Sequence, residues 1–290
     1  LLSRAQGNWE LWTAFTVEDP EDNPPMARWL TLSESGALFD IEVNASPILA
    51  AEMLRRNLWN VAYGALVTSA TLTALGTFER FRMRAGLPKK AVTAVVPSPF
   101  HHADAGVLRV PDLKADPRDA PAHTAAIIRD LPSLVEGSKG TLVLFSSRKQ
   151  MQDVFDGLDR DWRKQVFIQG NLSKQETLNK HKARVDGGDS SVLFGLASFA
   201  EGVDLPGAYC EHVVIAKIPF SVPDDPVEAA LAEWIEARGG NPFMEISVPD
   251  ASLKLVQACG RLLRTEEDRG TITLLGRRLV TQRYGKAILN

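Results

Sequence analysis

The run Thr141-Leu142-Val143-Leu144-Phe145 (TLVLF) carries no charge and is followed at once by Ser146-Ser147 and a helix-forming stretch from Lys149. Similar runs recur as SVLFGL at 191–196, HVVIAKI at 212–218 (a strand over His212–Ile215) and TITLL at 271–275. Short continuous apolar runs, in place of apolar–polar alternation, mark strands covered on both faces. Shorter candidates are Val107–Val110 and Gln165–Ile168. Between them lie helical stretches at His123–Val135 and Lys149–Leu158, one opened by Ser173 and Glu176 as a capping box, and Asp225–Arg238. Alternating strands and helices joined by right-handed crossovers give a parallel sheet in a three-layer α/β arrangement.

Upstream the pattern differs. Leu1 to Pro25 is polar and irregular, with Trp9 and Trp12 and the acidic turn EDPEDNPP. Residues 27–32 and 37–43 alternate around SESG and predict a β-hairpin, with Ala37, Phe39, Ile41 and Val43 on one side. Ser46-Pro47 predicts a helix start, running to about Trp59 with Ile48, Leu49, Met53 and Leu54 inward. Gly64–Val67 reads as a short buried strand ending in Thr68-Ser69-Ala70-Thr71-Leu72; a helix over Thr73–Ala85 and a strand over Ala91–Val96 follow.

Composition sets bounds. The chain has 290 residues, 44% of them apolar and 24% charged, and a net charge of −3, so no bulk attraction to a polyanion is available. No apolar run nears the roughly 18 residues of a membrane span, and no signal-peptide pattern opens the chain. Cys210 and Cys259 are too few for a disulfide framework, which predicts a reducing cytoplasm and cysteines packed as small apolar residues. A start at Leu1 without Met predicts a piece of a longer polypeptide.

In a parallel sheet the residues just after each strand gather at one edge, where open α/β folds place their sites. Here they are Ser146-Ser147-Arg148, Gln169-Gly170-Asn171 and Ala197–Pro206 (ASFAEGVDLP). Ser146 and Ser147 precede a helix, where free N–H groups and hydroxyls suit a phosphate or simply cap the helix. Gly202 permits close backbone approach between Glu201 and Asp204. The stretch SLKLVQACGRLLRTEEDRG at 252–270 predicts a helix over 252–264 with Gln257, Gly260, Arg261 and Arg264 along one side. Guanidinium forks match phosphate oxygens as lysine ammoniums do not.

These stretches, in this order, resemble the C-terminal half of a DinG-type helicase of the XPD/DinG group in superfamily 2. The carrying residues are Thr68–Leu72 (motif III), Leu142–Ser147 (motif IV), Ser198–Leu205 (motif V) and Gln257–Arg264 (motif VI), with Ser98-Pro99-Phe100, Arg278–Thr281 and Tyr284-Gly285-Lys286 in support. The resemblance implies an ATP-dependent 5′→3′ DNA helicase. ATP and Mg²⁺ would lie between two RecA-like domains, of which this chain carries the second. It implies that residues 1–75 end the arch insertion and the first motor domain, and that 76–290 are the second motor domain. Arg264 would be the arginine finger, Arg261 a second phosphate contact, and Gln257 the residue that orients water. Glu201, Gly202, Asp204 and Gly260 would serve the nucleotide, and Ser146, Ser147 and Ser198 single-stranded DNA. Ser69, Ala70 and Thr71 would couple the domains. The first motor domain is the implied partner of a monomeric enzyme.

Equally telling are the missing motifs. No G-x-x-x-x-G-K-[ST] loop occurs; Gly285-Lys286-Ala287 lacks the upstream glycine and the hydroxyl. No DEAH box occurs, and the family's iron–sulfur cluster needs four cysteines, so the cluster is expected outside this chain. The 290 residues alone are expected to hydrolyse nothing. A non-catalytic nucleic-acid-binding or regulatory module on the same fold is the alternative. An oxidoreductase is set aside because no G-x-G-x-x-G follows a strand. No metal is expected at His101, His102 and Asp104, since adjacent side chains in an extended loop point apart. Asp224-Asp225 ahead of Pro226 predicts a helix cap.

Overall fold

A computed structural model describes residues 2–19, 23–35, 38–98, 102–196, 199, 202–221, 225–262, 265 and 267–289. They form two compact units, residues 1–93 with 221–249, and residues 94–220 with 250–290. The expected division at 75/76 follows sequence likeness; contacts draw the line at 93/94 and return 221–249 to the first unit.

In the second unit six strands pair in parallel in the order β3-β8-β7-β4-β6-β5. They are β3 (Gly106–Arg109), β4 (Gly140–Phe145), β5 (Val166–Ile168), β6 (Ser191–Leu196), β7 (His212–Ile215) and β8 (Gly270–Leu274). Successive side chains of β4 enter opposite cores, because strand side chains alternate. Val143 and Phe145 join Phe194, Val214, Met151 and Ile127 on one face. Leu142 and Leu144 join Leu193, Val213, Leu178 and Leu255 on the other. Helices Ala120–Leu134 and Arg148–Gly157 therefore cover one face, and Lys174–Asp186 and Val248–Cys259 the other. This is the three-layer parallel sheet that the apolar runs predict. One half of the predicted capping box forms, Ser173 Oγ accepting the N–H of Glu176 (3.3 Å), and Asp225 Oδ1 caps its helix by accepting those of Val227 and Glu228, while Asp224 lies outside the described residues. Gly140 is fixed by space, since a Cβ there would meet the carbonyl carbon of Tyr209 at 2.3 Å.

Buried histidines tie helices to the sheet. His181 Nε2 donates to the carbonyl of Tyr209 and its Nδ1 accepts from Ser191 Oγ, both at 2.8 Å. His123 Nε2 donates to the carbonyl of Leu275 (2.7 Å), and its Nδ1 accepts from Gln150 Nε2 (3.1 Å). His212 bonds Thr273 Oγ1 at 2.8 Å.

The first unit departs from expectation more often. Leu2–Thr16 is a helix, with Trp9 and Trp12 exposed, where an irregular stretch is predicted. The hairpin forms but is longer, β1 (Met26–Ser35) against β2 (Leu38–Pro47); Gly36 of its predicted turn and Ala37 of its predicted second strand lie outside the described residues. Ala27 and Trp29 pack on Leu231 and Ile235, whereas Leu30, Leu32, Phe39 and Ile41 face outward. Ser46-Pro47 ends β2 and starts no helix: Pro47 pairs with Met26, and Ile48 N–H reaches the Pro25 carbonyl. The helix begins at Ala51 and widens into a π turn over Arg55–Trp59; Ile48 and Leu49 are buried ahead of it, and Met53 is exposed. Gly64–Val67 is irregular with Leu66 92% exposed, and Ala91–Val96 likewise with Val92 96% exposed. An apolar run becomes a strand only beside a neighbour that takes up its N–H and C=O groups, and neither run has one among the described residues. The predicted helix over 73–85 shortens to Glu79–Ala85, because Leu75 and Gly76 adopt positive φ and Ala74 pairs with Thr77.

The histidines generate a pH dependence. Burial lowers the pKa of His123 and His181, and burial with the Arg109 charge lowers that of His212 to about 4. Near pH 6.5 and below, the unfolded chain takes up protons that the folded chain refuses, so stability is full above that pH and falls beneath it. His212 alone accounts for about 2 kcal/mol between pH 7.5 and 5. Urea unfolding at the two pH values is the check; equal midpoints would refute it.

Candidate nucleotide and nucleic-acid edge

The sheet brings the ends of β4, β5, β6 and β7 to one edge. After β4, Ser147 Oγ accepts the N–H of Gln150 (3.3 Å) as N-cap of Arg148–Gly157. Ser146 is exposed one residue earlier. Ser147 thus caps the helix, one of the two readings of the pair, and Ser146 stands exposed beside it.

After β5, Gln169 reaches across to β6: its N–H donates to the Phe194 carbonyl and its Oε1 accepts the N–H of Leu196, each at 2.8 Å. Gln169 is missing from the predicted site residues although it stands at the strand end. Gly170 follows at φ +106°, and its missing Cβ would lie 3.4 Å from Nη1 of Arg148.

After β6, residues 197, 198, 200 and 201 lie outside the described residues, and with them the candidates Ser198 and Glu201. Phe199 is buried; a Cβ on Gly195 would strike its ring at 2.6 Å, so this glycine makes room for the aromatic. Lys174 Nζ lies 5.5 Å from the centre of the same ring. Gly202 adopts φ +68° with open space where its Cβ would stand. Its requirement is a left-handed backbone, and among the described residues no atom beyond Gly202 and its chain neighbours lies within 4 Å of that Cβ position. Val203 and Leu205 are buried, and Asp204 between them is exposed.

The helix carrying Gln257 ends at Cys259 and not at 264. Arg261 N–H bonds the carbonyl of Ala258 and Leu262 N–H that of Cys259, i→i+3 bonds that tighten the last turn. Gly260 and Arg261 therefore stand in a tightened turn after the α-helix that carries Gln257, and Arg264 lies outside the described residues. Gln257 and Gly260 are exposed, while half-buried Arg261 donates from Nη1 to the carbonyl of Val203 (3.2 Å). That bond joins two of the predicted stretches directly. Cys210 is buried as expected; Cys259 is half-buried, and burial pushes its thiol up to about 11. These two cysteines do not supply a four-cysteine cluster.

Asp268 is absent from the predicted set. Its Oδ1 accepts the N–H of Gly207 (3.1 Å) and its Oδ2 that of Thr265 (2.8 Å). An acidic run offers no pattern to tell buried Asp268 from exposed Glu267 beside it. In the first unit, Ser69 Oγ accepts the N–H of Thr71 (3.3 Å) and lies 3.4 Å from Thr71 Oγ1, a small hydroxyl turn containing Ala70. Among the described residues no group of three His, Cys, Asp or Glu could hold a metal, and no helix is long and apolar enough to cross a membrane.

A parallel sheet with its polar loops gathered at the carboxyl ends and an arginine docked on them is a RecA-like motor-domain fold. Residues 131–290 match the family described as helicase C-terminal domain, and the chain belongs to that family. It is similar to the ATP-dependent DNA helicase DinG of Photobacterium profundum, 41% identical over 294 residues, and of Escherichia coli K12, 34% identical over 299. All of this chain aligns in both cases, but it spans only 42% of each relative. The solved structure of S. tokodaii Xpd4 superposes with a TM-score of 0.56 at 19% identity, over 83% of this chain and 45% of that one, which shows the fold alone.

The serines separate by stability. Ser147→Ala is expected to cost about 1 kcal/mol as a lost cap, and Ser146→Ala less than about 0.5 kcal/mol. Chemical denaturation of the two variants is the check; equal losses would contradict the assignment.

Proposed function

We propose that the chain is the second motor domain of an ATP-dependent 5′→3′ DNA helicase, and that the first motor domain is its partner in a longer, monomeric polypeptide. The observation that carries this reading is the bond from Arg261 to the Val203 carbonyl, which holds a guanidinium against the loop after β6. Phosphoryl transfer asks a protein mainly for positioning and for charge on the transferring group. Arg264 acts as the finger at the γ-phosphate and Arg261 as a second phosphate contact. Gln257 orients the attacking water. Glu201, Gly202, Asp204 and Gly260 shape the nucleotide side of the edge.

Ser146, Ser147 and Ser198 meet the phosphates of one DNA strand, and Ser69, Ala70 and Thr71 couple the nucleotide state to the partner domain. Mg²⁺ and the phosphate loop come from the partner, and so does any iron–sulfur cluster. The 290 residues by themselves turn over no ATP.

Arg264→Ala in the longer polypeptide is expected to lower DNA-stimulated ATP turnover by ~10³-fold or more while ATP still binds. Unchanged turnover would remove the finger assignment. Single-stranded DNA binding by the 290 residues is expected to be weak, with the shallow salt dependence of a few phosphate contacts, since the net charge of −3 leaves only local contacts. Nanomolar affinity at physiological salt would contradict this. A phosphate loop and a DEAH box absent from the longer reading frame would favour the non-catalytic module.

A further inference from the structure

We infer that Asp268 is a positioning residue for the phosphate-facing arginine Arg261, acting by locking the loop after β6 to the turn that follows the helix Val248–Cys259. Asp268 is 7% exposed, an unusual place for a carboxylate unless both oxygens are engaged. Its oxygens take one N–H from each side, Gly207 at 3.1 Å and Thr265 at 2.8 Å. Gly207 (φ +60°) immediately follows the stretch Gly202–Pro206, and Thr265 comes soon after Arg261 and Leu262 in the chain. The two segments are therefore joined at two places: by Asp268 at their far ends, and by the Arg261–Val203 bond at their near ends. Leu205 and Leu262 lie in the same apolar cluster between these links.

Charge-assisted bonds to two backbone N–H groups are stiffer than a neutral contact, so the carboxylate fixes the relative register of the segments. A guanidinium that stabilises a transition state works only where it is already placed, and a displacement of about 1 Å costs on the order of 10²-fold in rate. Asp268 touches no reacting group in this account. Its effect passes through Arg261.

The inference rests on the reading that Arg261 faces the nucleotide, and the test separates the two. In the longer polypeptide, Asp268→Asn keeps the shape but turns an amide toward one N–H. The expected result is a 10- to 100-fold lower kcat for DNA-stimulated ATP hydrolysis with KM for ATP within twofold, since the arginine contributes in the transition state and not in ground-state binding. Affinity for ADP–aluminium fluoride falls by a similar factor, a readout that general loosening of the domain would not single out. In an Arg261→Lys background the loss from Asp268→Asn shrinks to under threefold, because the residue it positions is already displaced. If Asp268→Asn does not fold, Asp268→Glu carries the same test, keeping the charge while shifting the segments. Normal kcat in the Asp268 variant, or an undiminished loss in the Arg261→Lys background, overturns the inference. Normal turnover in Arg261→Lys itself overturns the underlying reading instead.

Discussion

Everything in the second unit depends on the burial of β4, β6 and β7 on both faces. Residues Leu142 to Phe145 are enclosed from either side, so their N–H and C=O groups have only neighbouring strands to bond. Polar side chains inside these strands, such as Ser191 and His212, are taken up by internal hydrogen bonds. Groups open to a ligand stand at the strand ends, and because the strands run parallel the loops that follow them leave by the same edge. The site is a consequence of the core.

The same constraint explains which parts of the chain were legible in its sequence. TLVLF, SVLFGL, HVVIAKI and TITLL each form a strand within a residue of the expected bounds, because each has its partners in the chain. Gly64–Val67 and Ala91–Val96 have the same composition and remain irregular and exposed. Composition marks a segment that needs covering, and pairing decides whether it becomes a strand. Ser46-Pro47 fails for a related reason: Pro ends a strand as readily as it starts a helix, and the pairing with Met26 decides.

At the site, residue types were legible and their geometry was not. The helix pattern of Leu253, Leu255 and Val256 continues on paper through Leu262 and Leu263, and nothing in it announces that the turn after Cys259 tightens. Gln169 is placed at the edge without a role and Asp268 goes unmarked, because a backbone N–H acceptor has no sequence signature; any carbonyl or carboxylate of the right reach would serve. What sets them apart is burial and the loops they join.

Those loop ties bear on how the arginine of the turn after Cys259 is held against the loop after β6. The bond from Arg261 Nη1 to the Val203 carbonyl helps to fix the direction of that side chain. Rigidity is supplied one step away, where the Asp268 carboxylate grips the backbone N–H groups of Gly207 and Thr265. On the proposed reading of Arg261, what these ties control is position, so variants in the gripping groups should act on turnover well before they act on affinity.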